Sequence, residues 1–149
     1  MSQEWLEEDF PNLRASGYEI QSREAYVPNC TGWALRDHHH YWDPHLVGFL
    51  PFYYWPPGVP RNDSVDALVQ VFQLFQYQEC EGMELEAGFE KVAIYGTAEG
   101  DATHAARQLP SGSWTSKLGQ EEDIEHRTLD ALTGEKYGTV VRIMKRPLK

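Results

Sequence analysis

Residues 37–60, "DHHHYWDPHLVGFLPFYYWPPGVP", hold five of the chain's nine prolines. Proline lacks the N–H that helix interiors and central strands need, so neither can run through this segment. The segment is also too apolar for a free linker. An ordered loop wrapped over the body meets both demands. It separates a helical, loop-rich first half from a strand-rich second half, the pattern of an α+β fold.

An acidic helix is predicted near residues 2–8, ended by Pro11 and Gly17. Asn29 is a good N-cap, which puts Cys30 in the first turn of the next helix. A further helix starts near Asn62 or Asp63 and ends near Tyr77. Val65, Leu68, Val69, Phe72 and Phe75 give it one apolar face. Strands are predicted at 89–96, 103–109, 113–119 and 137–146, the middle pair joined by the tight turn "PSG". The polar stretch with Ile124, Leu129 and Leu132 reads as a short helix. Residues 1–149 then make a single domain, with helices packed on a mostly antiparallel sheet of about four strands. With 41% hydrophobic residues, the chain is long enough for one core and not for two.

A formal charge of −10 argues against nucleic acid as a partner, since binding phosphates takes many Lys and Arg. The basic end "RIMKRPLK" reads as a solvated edge. No run of 18 apolar residues suits a membrane span, and the acidic opening "MSQEWLEEDF" is unlike a secretory signal. The expected location is cytoplasmic. There Cys30 and Cys80 stay as thiols, and packing alone must hold the fold.

A thiol becomes nucleophilic when a helix start or a nearby imidazole stabilises its thiolate. Cys30 has the first by position, and His104 opens a predicted strand on which the Cys30 helix would pack. Across the turn, Thr115 and Ser116 are placed to orient that ring. Cys30 as nucleophile, His104 as base and Ser116, or Thr115, as orienter form the candidate catalytic set. The segment "NCTGWALRD" resembles the (D/N)-C-S-G-(F/W) nucleophile segment of NlpC/P60 amidases and endopeptidases, a branch of the papain-like fold. "THAARQLPSGSWTSKLG" is similar to the papain-like strand pair that carries the catalytic His and its orienter. Most of the chain also resembles an uncharacterised bacterial family of about this length, which implies no activity.

The resemblance implies a papain-like fold and a thiol hydrolase or acyl transferase acting on a peptide-like or amide substrate without a cofactor. Two registers are open. The NlpC/P60 catalytic His usually begins a strand reading "HVGIY", and here "KVAIY" puts Lys91 in that place, moving His104 to the orienting position. In the other register His104 is the base, and Ser116 replaces the usual Asp, Asn or His, bringing a dipole but no charge. The papain-like oxyanion Gln, about six residues before the Cys, falls on Glu24, with Gln21 nearby. An ionised Glu cannot donate. These departures support an alternative: a catalytically degenerate binding module that uses loop 41–60 as its contact surface for a protein partner.

Other groups are weighed against that set. Asp37, His38, His39, His40, Asp43 and His45 have ligand chemistry, but nothing completes a familiar metal spacing, so they read as a polar loop near the cleft. His126, with Asp123 and Glu125, reads as solvated, Asp123 being a reserve orienter for His104. Trp114 and Lys117 flank the third position, one packing and one framing the cleft. Cys80 reads as structural.

Overall fold

The computed structural model describes residues 3–22, 27–118 and 122–148. Glu24 and the predicted element ends at residues 2 and 119 lie outside them.

Two short helices, α1 (Gln3–Asp9) and α2 (Asn12–Ser16), lead into strand β1 (Tyr18–Ser22). Helix α3 (Cys30–Ala34) has only five residues, and it starts where predicted because Asn29 Oδ1 accepts from the Gly32 N–H. Within the proline-rich loop, β2 (Tyr41–Trp42) and β3 (Tyr53–Tyr54) pair in parallel, Tyr41 opposite Tyr53 and Trp42 opposite Tyr54. The loop is therefore ordered, with Trp42 and Trp55 buried. Helix α4 (Val65–Gln73) is capped by Ser64, whose Oγ accepts from the Ala67 N–H at 3.0 Å. It ends before the predicted Tyr77, and Gln76 follows in a left-handed conformation at φ 70°.

Strands β4 (Gln78–Cys80), β5 (Phe89–Gly96), β6 (Ala102–Gln108), β7 (Trp114–Lys117), β8 (Asp123–His126) and β9 (Thr139–Pro147) complete the chain, with a 3₁₀ turn at Leu129–Leu132. Seven strands form one sheet in the order β1-β8-β7-β6-β5-β9-β4, and every neighbouring pair is antiparallel. This corrects the expected architecture. The sheet has seven strands rather than about four, and the helices are few and short, so no papain-like packing of N-terminal helices on a four-stranded sheet is present. Three strands lay hidden in the sequence. β1 and β4 are too short to show alternation, and β8 falls where a helix was predicted. Pairing on both sides, to β1 and β7, decides β8, with Ile124 packed into the core.

Alternation along the central strands gives each face of the sheet its own cover. Val92, Ile94, Ala105 and Met144 share a core with α4, Trp42 and Trp55. Ala93, Tyr95, Ala106 and Ile143 share the other with Leu6 and Leu13 of the first helices, with Phe10 between them, and with Leu129 and Leu132. Among the described residues no helix is long and apolar enough to cross a membrane.

Candidate functional site

Among the described residues, strand β6 meets β7 at Arg107–Thr115 and Gln108–Trp114, and its first half has no strand partner on that side. Helix α3 packs there, against β6 and β7. Asn29 fixes it from both ends of one amide: Nδ2 donates to the Trp42 carbonyl at 2.7 Å, and Oδ1 accepts from the Trp42 N–H at 3.0 Å as well as from Gly32. Gly32 is required, because a Cβ there would approach the His40 carbonyl oxygen to 2.8 Å and Pro28 Cβ to 2.9 Å. On the far side of α3, Trp33 Nε1 donates to Thr115 Oγ1 at 2.9 Å.

Cys30 and His104 line the same cavity, of about 280 Å³. Its walls include Trp42, Asp43 and Trp55 from the loop, Asp63 and Ser64 before α4, and Tyr137 before β9. Two β-bulges aim the strands at it: the ladders from Tyr95 and its neighbours skip Thr103 on β6 and Val141 on β9. The bulged Thr103 donates its hydroxyl to the Tyr137 carbonyl. The Tyr137 ring stacks on the His104 ring, with centroids 4.2 Å apart and planes 4° from parallel.

Burial favours the neutral form of both side chains. Burial pushes the Cys30 thiol up, by more than the Ala105 backbone and the Thr31 hydroxyl pull it down through hydrogen bonds. Burial holds His104 well below the usual imidazole range, and nearby His126 adds to this. His104 is 2% exposed, and neither ring nitrogen has a hydrogen-bond partner among the described residues. A ring whose donor and acceptor are both unpaired is rare in a native interior.

The third member is elsewhere. Ser116 Oγ lies 2.7 Å from His126 Nε2, while His126 Nδ1 lies 2.9 Å from the Thr128 carbonyl. A carbonyl can only accept, so Nδ1 carries the proton and Ser116 donates to Nε2. Ser116 therefore does not orient His104, and Thr115 is taken by Trp33. His126 is buried and not solvated as expected. Asp123 is also buried, and it interacts with Lys117 and His38 rather than with His104. Lys91 does not line the cavity: its Nζ donates to the Gly82 carbonyl at 2.7 Å and pairs with Glu86 at 3.3 Å. Gln21 is on β1 and donates to Glu19, while Trp114 and Lys117 are both buried. The Cys80 thiol donates to the Gly82 carbonyl at 3.8 Å.

The histidine-rich loop is explained by local bonding. Asp37 accepts from the His39 N–H, from Trp42 Nε1 and from His40 Nδ1 at 2.8 Å. His45 pairs with Asp63 at 2.9 Å, and His38 packs edge-on against Trp33. Among the described residues no three His, Cys, Asp or Glu side chains group to hold a metal.

Tyr137 is the site residue that the spacing did not reveal, since it reaches His104 through a turn rather than through a strand partner. A family model for a domain of unknown function, DUF7689, matches residues 19–145, a stretch that includes Cys30, His104 and Tyr137. The chain belongs to the DUF7689 family. No curated protein and no solved structure matches it.

Proposed function

We propose that the protein is a thiol-dependent hydrolase or acyl transferase acting on an amide bond, with Cys30 as nucleophile and His104 as general base. The observation that carries this reading is that the two residues, 74 positions apart, line one cavity. The neutral pair fits general-base attack rather than a preformed ion pair. As Cys30 sulfur bonds to the carbonyl carbon, an imidazole nitrogen takes the thiol proton. The C–N bond then breaks, the same proton goes to the leaving amine, and water or a second amine cleaves the thioester. The unpaired nitrogens of His104 are consistent with a proton acceptor whose partner arrives with the substrate. A cytoplasmic location suits the two free thiols.

p-Nitrophenyl acetate tests the reading. Its acetyl group should transfer to Cys30 with loss of nitrophenolate, giving an adduct by intact mass that is absent in Cys30→Ser. The rate should fall at least tenfold in His104→Ala and stay unchanged in Cys80→Ser. Acetylation of Cys80 at the same rate as Cys30, or insensitivity to His104→Ala, overturns it.

A second reading, a binding module, draws on one specific observation: Tyr41, Trp42 and Trp55 of the aromatic loop line that cavity together with the uncharged Cys30–His104 pair. Here the cleft would hold a peptide-like ligand without cleaving it, and no acyl adduct would form.

A further inference from the structure

A second cavity, of about 420 Å³, lies between the 85–90 segment, the end of β6 and the end of β9. It shares no lining residue with the Cys30 cavity. Its walls are apolar: Leu85, Ala87, Phe89, Leu109, Pro110 and Leu148, with Leu85 and Leu148 more than half exposed. Gln108, buried beside it, donates to the carbonyls of Met83 at 3.0 Å and Gly112 at 3.5 Å and so ties two wall loops together.

The cavity wall itself holds Arg36 against Glu86 and Glu90, but cations outside the wall pair with those carboxylates and reverse the sign of the chain's charge around it. Glu90 is 7% exposed and pairs with Arg36 at 2.7 Å and with Arg146, while Arg107 lies within electrostatic reach of all three. Glu86, also on the cavity wall, pairs with Lys145 at 2.8 Å and Lys91 at 3.3 Å. Five cationic side chains thus surround two carboxylates in a protein of net charge −10. Glu84, which lies against Gly82 near Lys91, does not restore the balance. Arg36 lines the cavity, is half exposed, and bonds Glu90 through Nη2, which leaves Nη1 directed at no carboxylate in these pairs. A guanidinium at the end of an apolar pocket suits a carboxylate with a hydrocarbon body.

We propose that this cavity binds a small amphipathic carboxylate, its chain against Leu85, Phe89 and Leu109 and its head group on Arg36. The site does not depend on the chemistry assigned to Cys30.

Amide chemical shifts of the full chain, titrated with sodium octanoate and separately with 1-octanol, test this at pH 7.5. Octanoate should saturate at one equivalent, moving the amides of 85–90 and 108–110, and octanol should bind at least tenfold more weakly. Arg36→Gln should weaken octanoate at least tenfold and leave octanol unchanged. Leu85→Glu, at a half-exposed wall position, should weaken octanoate at least as much; it is the informative variant if Arg36→Gln fails to fold. The proposal is overturned by octanol binding as tightly as octanoate, or by shifts confined to the Cys30 cavity. It is also overturned if acetyl-Leu-Leu saturates the site while octanoate does not, which would assign the cavity to a protein C terminus.

Discussion

Ser116 and His126 form a closed unit: one hydroxyl donates, one ring accepts, and the far nitrogen is spent on the Thr128 carbonyl. No hydrogen bond from that unit reaches His104, whose ring stacks on Tyr137. The two arrangements make opposite predictions for Ser116→Ala. If Ser116 oriented the base, the variant would lose acylation. With the observed bonding it should leave Cys30 acetylation within twofold of the parent and instead lower stability by about 1–2 kcal/mol, because buried Nε2 loses its donor. Urea unfolding alongside intact-mass kinetics separates these outcomes. Cys30 carries its own expectation. A thiol raised by burial has less thiolate at pH 7 than an ordinary cysteine, so once its base is removed in His104→Ala, iodoacetamide should label Cys30 more slowly than free cysteine below pH 8. Faster labelling at Cys30 would show that burial does not dominate there.

At the scale of elements, the turn from the 3₁₀ segment into β9 decides where Tyr137 sits. Gly138 has φ 73°, and a Cβ there would run into the carbonyl oxygen of Gly96. Gly138→Ala should therefore cost about 2 kcal/mol through backbone strain, read as a lower urea midpoint at unchanged slope. It should also slow Cys30 acetylation, since displacing Tyr137 unstacks His104. The sequence carried part of this arrangement openly. Asn29 as cap, the apolar face of α4 and the "PSG" hairpin follow from local chemistry, and each formed. The strands β1 and β4 did not show, because their pairing partners lie far away in sequence; β8 follows its partner β7 closely, but its polar residues read as helix and its other edge is joined to β1 across more than a hundred residues. Cys30 and His104 could be paired on paper because a short helix and a strand start each leave a readable signal. Tyr137 and the commitment of Ser116 to His126 could not, since both depend on which way a side chain leaves a bulged or twisted sheet.

For the whole molecule, two buried histidines make folding sensitive to mild acid. His126 is fully buried and its ring is pushed down to about 4, burial outweighing the bond to Thr128. His104 is lowered in the same direction. An unfolded histidine titrates near 6.5, so between that pH and the folded value the unfolded chain binds more protons than the native one. The stability these neutral rings contribute is thus complete above about pH 6.5 and is lost as the pH falls toward 4. His45 has the opposite sign, its ring raised by Asp63 and its contribution lost as pH rises, but it is solvent-exposed and screened. Carboxylates titrate mainly below pH 5, which leaves pH 5–6.5 as a window for the imidazoles. In that window His126 alone should lower the unfolding free energy by about 2 kcal/mol on going from pH 7.5 to pH 5, and His104 should add to it. Urea unfolding at the two pH values measures the drop, and repeating it in His126→Gln should remove His126's share. A stability that is flat from pH 7.5 to 5, or that rises on acidification, would mean that water reaches these rings and that the core on their face of the sheet is not closed.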